Sequence, residues 1–193
     1  SSAPGLVYRG IQHYAGQVMH LDGRDVRRER SLALWARVAE IVDRLRAQGL
    51  EPPVVTGAGT GTYDIDCEVV CLTDLQVGSF VFMDQQYRVI GGAAGPEFAD
   101  FEIALSVLTT AISQPRPGLV TVDGGYKAFA ADAGAPVVLG APLGANDRCE
   151  YRFAGDEHGV LLPRGDTLPA LGERVRFVVP HCDPTVNLYD WYW

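Results

Sequence analysis

The sequence predicts an α/β unit followed by a mainly antiparallel β domain. A strand-like run, a long helical stretch and a second strand-like run succeed one another between Leu6 and Thr56, the pattern of a βαβ unit. The character changes at the small, turn-rich Gly91-Gly92-Ala93-Ala94-Gly95-Pro96. Beyond Pro115-Arg116-Pro117-Gly118, short apolar runs alternate with Gly/Pro turns, which is the spacing of antiparallel strands. The expected division is therefore residues 1–95 and residues 96–193.

With 193 residues, 47% hydrophobic and 21% charged, the chain can bury a sizeable core as one large or two small domains. A formal charge of −8 disfavours nucleic acid and anionic lipid as partners, because both need a basic face. No apolar run is long enough to span a bilayer and nothing resembles a signal peptide, so a soluble chain without a membrane partner is expected. Cys67, Cys71, Cys149 and Cys182 make neither a metal knuckle nor a disulfide scaffold, which leaves a reduced cytoplasm as the expected compartment. Of 16 basic residues one is a lysine, Lys127, and the rest are arginines.

Residues 1–5 read as a small polar lead-in, Leu6 to Gln12 as a strand, and Gln12 to His20 as the loop leaving it. From Asp25 to Gln48, Leu34/Trp35, Val38, Ile41/Val42 and Leu45 recur at helical spacing, and Gly49 follows the end. Pro52 to Thr56 is the next strand, parallel to the first because a helix crosses between them. Leu75 to Asp84 reads as a third strand. Ala99 to Ser113 suits a buried helix or a strand equally. Leu119–Val122, Val137–Leu139, Tyr151–Phe153, Gly159–Leu162 and Val175–Val179 are the strands of the β domain.

Some of these residues could carry chemistry. Gly57-Ala58-Gly59-Thr60-Gly61-Thr62-Tyr63 follows a parallel strand, at the edge where ligands bind in α/β sheets. Its glycines let backbone N–H groups approach an anion, and Thr60 and Thr62 add hydroxyl donors; a plain tight turn is the competing reading. It is neither a Walker A loop nor a dinucleotide fingerprint. Gln12, Tyr14 and His20 lie on the loop after the first strand, where such residues also serve as packing or surface groups. Asp156-Glu157-His158-Gly159 by itself reads as a solvated turn. If the last strand continues through Pro180, then His181 and Asp183 share one face and Cys182 the other, so an imidazole and a carboxylate could reach one divalent ion.

The segment His181-Cys182-Asp183-Pro184-Thr185-Val186-Asn187-Leu188-Tyr189-Asp190 resembles the C-terminal metal-binding signature of D-threonine aldolase, a fold-type III enzyme that uses pyridoxal 5'-phosphate. Gly57 to Tyr63 resembles that family's phosphate cradle. Gly10-Ile11-Gln12-x-Tyr14-x-Gly16-x-x-x-His20 resembles the segment whose Tyr lies by the cofactor and whose His lines the substrate pocket. Asp156 to Gly159 resembles a stretch near the substrate.

The resemblance implies the later part of a (β/α)8 cofactor-binding barrel followed by the β domain. It implies Gln12, Tyr14, Gly59, Thr60, Gly61 and Thr62 at the cofactor, His20, Tyr14 and Asp156 at the reacting groups, and His181 and Asp183 on Mn²⁺ or Mg²⁺. The implied reaction is retro-aldol cleavage of D-threonine and related D-β-hydroxy-α-amino acids to glycine and an aldehyde, by an enzyme that is a homodimer when whole.

Two rivals stand beside it. One is a D-serine or 3-hydroxyaspartate dehydratase of the same superfamily, whose members typically pair His with Cys on zinc where this chain has Asp183. The other is a non-catalytic fragment, because the family's cofactor lysine sits in an Arg-Pro-His-x-Lys-Thr-His-like segment that this sequence lacks. The stretch Asp123 to Ala128 resembles a family stretch too, but its lysine is not the family's anchor. The expected partner is therefore an N-terminal portion or second chain that carries the lysine. A homogeneous preparation of the 193-residue chain alone is expected to be inactive, and D-threonine turnover by it would contradict this.

Overall fold

A computed structural model of the chain describes residues 4–139, 149–165 and 167–193; most of the lead-in at residues 1–5 lies outside them. The chain forms two compact units, one of them the chain up to Phe80 with Ile90–Pro96, the other Val81–Val89 with Glu97–Trp193. No helix among the described residues is long and apolar enough to cross a membrane.

The first unit is a βαβ layer. Strand β1 (Gly10–His13) leads through a one-turn helix α1 (Gly16–Met19) into α2 (Arg24–Ala47), and then into β2 (Val54–Gly57). β1 and β2 are parallel, Gly10 opposite Val54 and His13 opposite Gly57. Helix α2 carries Asp25 in its first turn and Arg44 and Arg46 in its last, each matched to the helix dipole. It ends where Gly49, at φ 72°, donates to the Arg46 carbonyl while Leu50 donates to Leu45, both at 2.9 Å. The sequence doublets resolve with Trp35 and Val42 inward; they join Val38 and Val55 in a core, and Ile41 is left exposed.

The remaining strands of this unit are shorter than expected. Residues 6–9 are not part of β1. A turn of helix α3 (Tyr63–Asp66) precedes β3 (Asp74–Leu75), which pairs in parallel with β2 through only two positions. The expected strand to Asp84 is replaced by a 3₁₀ turn at Ser79–Val81 and by α4 (Gln85–Arg88). The cause is Asp84, which caps α4 by accepting the Tyr87 N–H at 2.8 Å.

The second unit is an antiparallel six-stranded sheet, built from β4 (Ser106–Arg116), β5 (Leu119–Val122), β6 (Val137–Val138), β7 (Cys149–Phe153), β8 (Gly159–Pro163) and β9 (Arg174–Val178). Their spatial order is β6-β9-β4-β5-β8-β7, and the short helix α5 (Cys182–Val186) follows. The ambiguous stretch from Ala99 resolves as irregular chain and then strand from Ser106, where β-branched residues dominate. Along β9, Arg174 and Arg176 face out while Val175 and Phe177 enter the core, the period-two alternation of a half-buried strand.

Phe129, Tyr151 and Phe177 form an edge-to-face triangle with ring centroids 5.4–5.7 Å apart. The Tyr151 hydroxyl is satisfied at 2.7 Å by the Gly124 carbonyl, and burial first, then the neighbouring Tyr126, pushes its pKa upward. Replacing Phe177 with Ala should cost about 3–5 kcal/mol. Urea denaturation should show this as a lower midpoint at an unchanged slope.

Candidate functional site

In the first unit the loop from Ala58 to Thr62 joins β2 to α3. Ala58 adopts a left-handed conformation, φ 62°, which turns the chain sharply off the strand. The Thr62 N–H closes the turn on the Gly59 carbonyl at 3.1 Å. Gly59, Thr60 and Gly61 are buried, yet their N–H groups bond to no described residue. Buried N–H groups without acceptors are rare, and three in succession make a concavity suited to an anion.

The glycines are required by contact. A Cβ on Gly61 would stand 2.0 Å from the Met19 carbonyl oxygen, and one on Gly59 would stand 2.6 Å from Met19 Sδ and 3.1 Å from the Tyr14 ring. Tyr14 therefore lies against the loop, and His20 ends the same 14–20 segment directly after Met19. Gln12, exposed on β1, donates from Nε2 to Gln76 Oε1 at 3.3 Å.

The two threonines differ. Thr60 Oγ1 accepts the Phe80 N–H at 3.2 Å. Thr62, expected as a hydroxyl donor to the anion, instead donates to Asp66 Oδ2 at 2.6 Å; the other Asp66 oxygen accepts from Ser31 at 2.6 Å. Its one hydroxyl proton is thus directed at Asp66 in this structure.

In the second unit the geometry of His181 and Asp183 also departs from expectation. β9 ends at Val178, and His181 is the N-cap residue of α5, extended at φ −143°, with Asp183 in the first helical turn. The strand cannot continue because the Cys182 N–H is taken by Asp84 Oδ2 at 2.7 Å, and Pro184, without a donor, suits the first turn of a helix.

The helical turn nevertheless brings the two side chains together, with His181 Nε2 lying 3.4 Å from Asp183 Oδ2. Asp132, which sequence reasoning missed, holds His181 Nδ1 at 2.6 Å. An Nδ1–H donated to Asp132 leaves the lone pair on Nε2, the side that faces Asp183. Burial pulls the His181 pKa down, but the Asp132 hydrogen bond and the charges of Asp132, Asp84 and Asp183 outweigh it and leave the group above its ordinary value. Cys182 points into the core, fully buried.

Ligand bonds of about 2.1 Å set at right angles need about 3 Å between donor atoms, close to this separation. Among the described residues no group of three or more His, Cys, Asp or Glu side chains closes around an ion, so the pair could hold a metal only with its remaining positions open.

Asp156 is exposed on the β7–β8 hairpin, where its carbonyl accepts the Lys127 N–H at 2.9 Å. The Lys127 ammonium pairs with Glu157 and is 65% exposed; that hydrogen bond, then the charge of Glu157, raises its pKa. A nucleophilic amine needs the opposite shift, so Lys127 is poorly suited to anchor a cofactor.

Comparison with known proteins matches residues 104–193 to the family described as "Putative serine dehydratase domain". The chain is 39% identical over its whole length to a 3-hydroxy-D-aspartate aldolase of Paracoccus denitrificans (strain Pd 1222), covering 49% of that protein. It is 37% identical to a D-threonine aldolase of Arthrobacter sp, with 97% of this chain and 48% of that protein covered. The solved structure of D-threonine aldolase from Filomicrobium marinum superposes with a TM-score of 0.90 at 35% identity, over 99% of this chain and 50% of that one. The chain thus spans about half the length of the curated relatives it matches. The expected fold-type III architecture is present. Residues 104–193 thus match the putative serine dehydratase domain, and the chain as a whole is similar to half of the D-threonine and 3-hydroxy-D-aspartate aldolases.

Proposed function

We propose that this chain supplies the phosphate cradle and the metal pair of a longer cytoplasmic lyase that cleaves D-β-hydroxy-α-amino acids, D-threonine among them, to glycine and an aldehyde. The observation that carries this reading is the His181–Asp183 pair, an imidazole nitrogen and a carboxylate oxygen 3.4 Å apart with Asp132 orienting the ring. Such a donor set suits a hard divalent ion, Mn²⁺ or Mg²⁺, better than the thiolate-containing pair of the zinc dehydratases. When bound there, the ion supplies positive charge that stabilises the ionised substrate hydroxyl. Pyridoxal 5'-phosphate, when bound, supplies the electron sink for the pair left when Cα–Cβ breaks.

The remaining tasks fall to side chains and backbone of this chain. The N–H groups of Gly59, Thr60 and Gly61 hold the phosphate; Tyr14, packed on Gly59, and Gln12 border the same cofactor. His20 takes the proton from the substrate hydroxyl, and Asp156 orients the substrate from its exposed hairpin. The covalent anchor for the cofactor comes from the rest of the longer protein or from a second chain, because Lys127 is the one lysine and is already ion-paired. The whole enzyme acts as a homodimer.

A dehydratase reading remains beside this one, favoured by the name of the family matched over residues 104–193. Products separate the two. Cleavage yields glycine and an aldehyde, whereas dehydration yields a keto acid and ammonia; the second pair from D-threonine or 3-hydroxy-D-aspartate would overturn the aldolase reading.

In the full-length protein, His181→Ala and Asp183→Ala should each lower metal-stimulated cleavage by about 100-fold or more. Asp132→Asn should raise the metal concentration for half-maximal activity by about 10–100-fold with a smaller change in saturated rate. Metal titration of the three variants checks both, and variants that respond like the wild type would remove these residues from the site.

A further inference from the structure

Arg27 lies in the first turn of α2 and is fully buried. A charged side chain is seldom buried completely, and here the guanidinium is spent on backbone carbonyls of three separate segments. Nε donates to the Gly61 carbonyl at 2.9 Å, and Nη1 donates to that of Leu21 at 2.8 Å. Nη1 also reaches the carbonyl of Ile90, and Nη2 that of Gly91. The Ile90 oxygen accepts the Gly23 N–H as well, at 3.0 Å. One planar fork therefore ties together the segment that follows β1, the glycine-rich loop after β2, and the return segment at 90–91.

The bond to Gly61 has a consequence for the cradle. A trans peptide unit is rigid, so its C=O and N–H point in opposite directions. Fixing the Gly61 carbonyl on Arg27 thereby fixes the Thr62 N–H, which donates to the Gly59 carbonyl at 3.1 Å. Fixing the Gly59 carbonyl in turn aims the Thr60 N–H away from the turn. Two hydrogen bonds in series thus set the direction of an unbonded, buried N–H of the cradle. A Cβ at Gly61 would collide with the Met19 carbonyl, so the position that accepts from Arg27 has room only for glycine.

We propose that Arg27 is a positioning residue for phosphate recognition, holding the cradle N–H groups in the anion-binding arrangement before any ligand arrives. This rests on the reading of Gly59–Gly61 as a phosphate site. Arg27 does not touch the ligand; it acts through the Gly61 and Thr62 peptide. Lysine cannot replace it, because an ammonium is a point donor and cannot span the same four carbonyls in one plane.

The test uses the full-length protein that carries this chain, with pyridoxine 5'-phosphate and pyridoxine as probes, since neither can attach covalently to a lysine. Calorimetric titration gives the preference for the phosphate ester. Arg27→Met should cut that preference by about tenfold or more, and Arg27→Lys by about threefold or more, with pyridoxine affinity within about twofold of wild type. An equal loss for both probes, or a preference that survives in folded Arg27→Met, overturns the proposal while leaving the cradle standing. No preference in the wild type overturns the cradle itself and the proposal with it.

Hydrogen exchange on the wild type decides the matter even where the variants do not fold. Saturating pyridoxine 5'-phosphate should slow exchange at Thr60 and Gly61 together with Gly23, whose N–H belongs to the network joined by Arg27. Protection confined to residues 59–62 overturns the proposal.

Discussion

A backbone polar group taken out of water must find a partner, and in this chain both candidate half-sites are shaped by how that demand is met. Where strands end, the ladder stops supplying partners and buried side chains take over. Arg27 collects four carbonyls in the first unit. Asp84 does the reverse in the second unit, its buried carboxylate accepting the N–H groups of Tyr87 at 2.8 Å and Cys182 at 2.7 Å. Gln85 and Gln86 donate to the carbonyls of Val179 and Pro180, so the chain just before His181 is bonded along its length. Thr185 closes the same corner by donating to the His181 carbonyl at 2.6 Å. Each of these bonds to a charged group is worth about 1.5–3 kcal/mol, more than an ordinary backbone bond, which is why such corners can be rigid without regular secondary structure.

That rigidity matters differently at the two places. At His181 it holds an imidazole between two carboxylates, Asp132 on Nδ1 and the 62% exposed Asp183 beside Nε2. At Gly59–Gly61 the N–H groups of buried residues bond to none of the described residues. Such groups are rarely left without an acceptor, which is what suits the loop to an anion.

Much of the fold was legible because it rests on periodicity and punctuation. Helix α2 announces itself through Trp35, Val38 and Val42 and stops at Gly49, and the strands from Leu119 onward alternate as their pleat requires. The third strand was misread because Phe80-Val81-Phe82 is apolar enough for a strand, whereas the chain obeys Asp84, a single capping residue whose second bond goes to Cys182, 98 positions away. The same bond hid the helical turn at His181: strand alternation put His181 and Asp183 on one face, whereas a turn of helix brings the two side chains together. Asp132 carried no local signal at all; it meets His181 across 49 residues. Arg27 looked like one more arginine in an arginine-rich helix, and only burial separates it from Arg28, which pairs with Glu68 in solvent.

The division of basic residues follows the same logic. At the one arginine buried among the described residues, Arg27, several carbonyls are reached at once, for only a guanidinium offers five donors in a plane. The one lysine sits in an exposed pair with Glu157, held charged, in the unit that lacks the glycine-rich loop. In the first unit β1 lies at the edge of a three-stranded parallel sheet, with its outer backbone groups unpaired by any strand among the described residues. Such an edge is a ready template for one more strand. The chain spans about half the length of the curated relatives it matches, and the function proposed above looks to the remainder of the longer protein for the lysine.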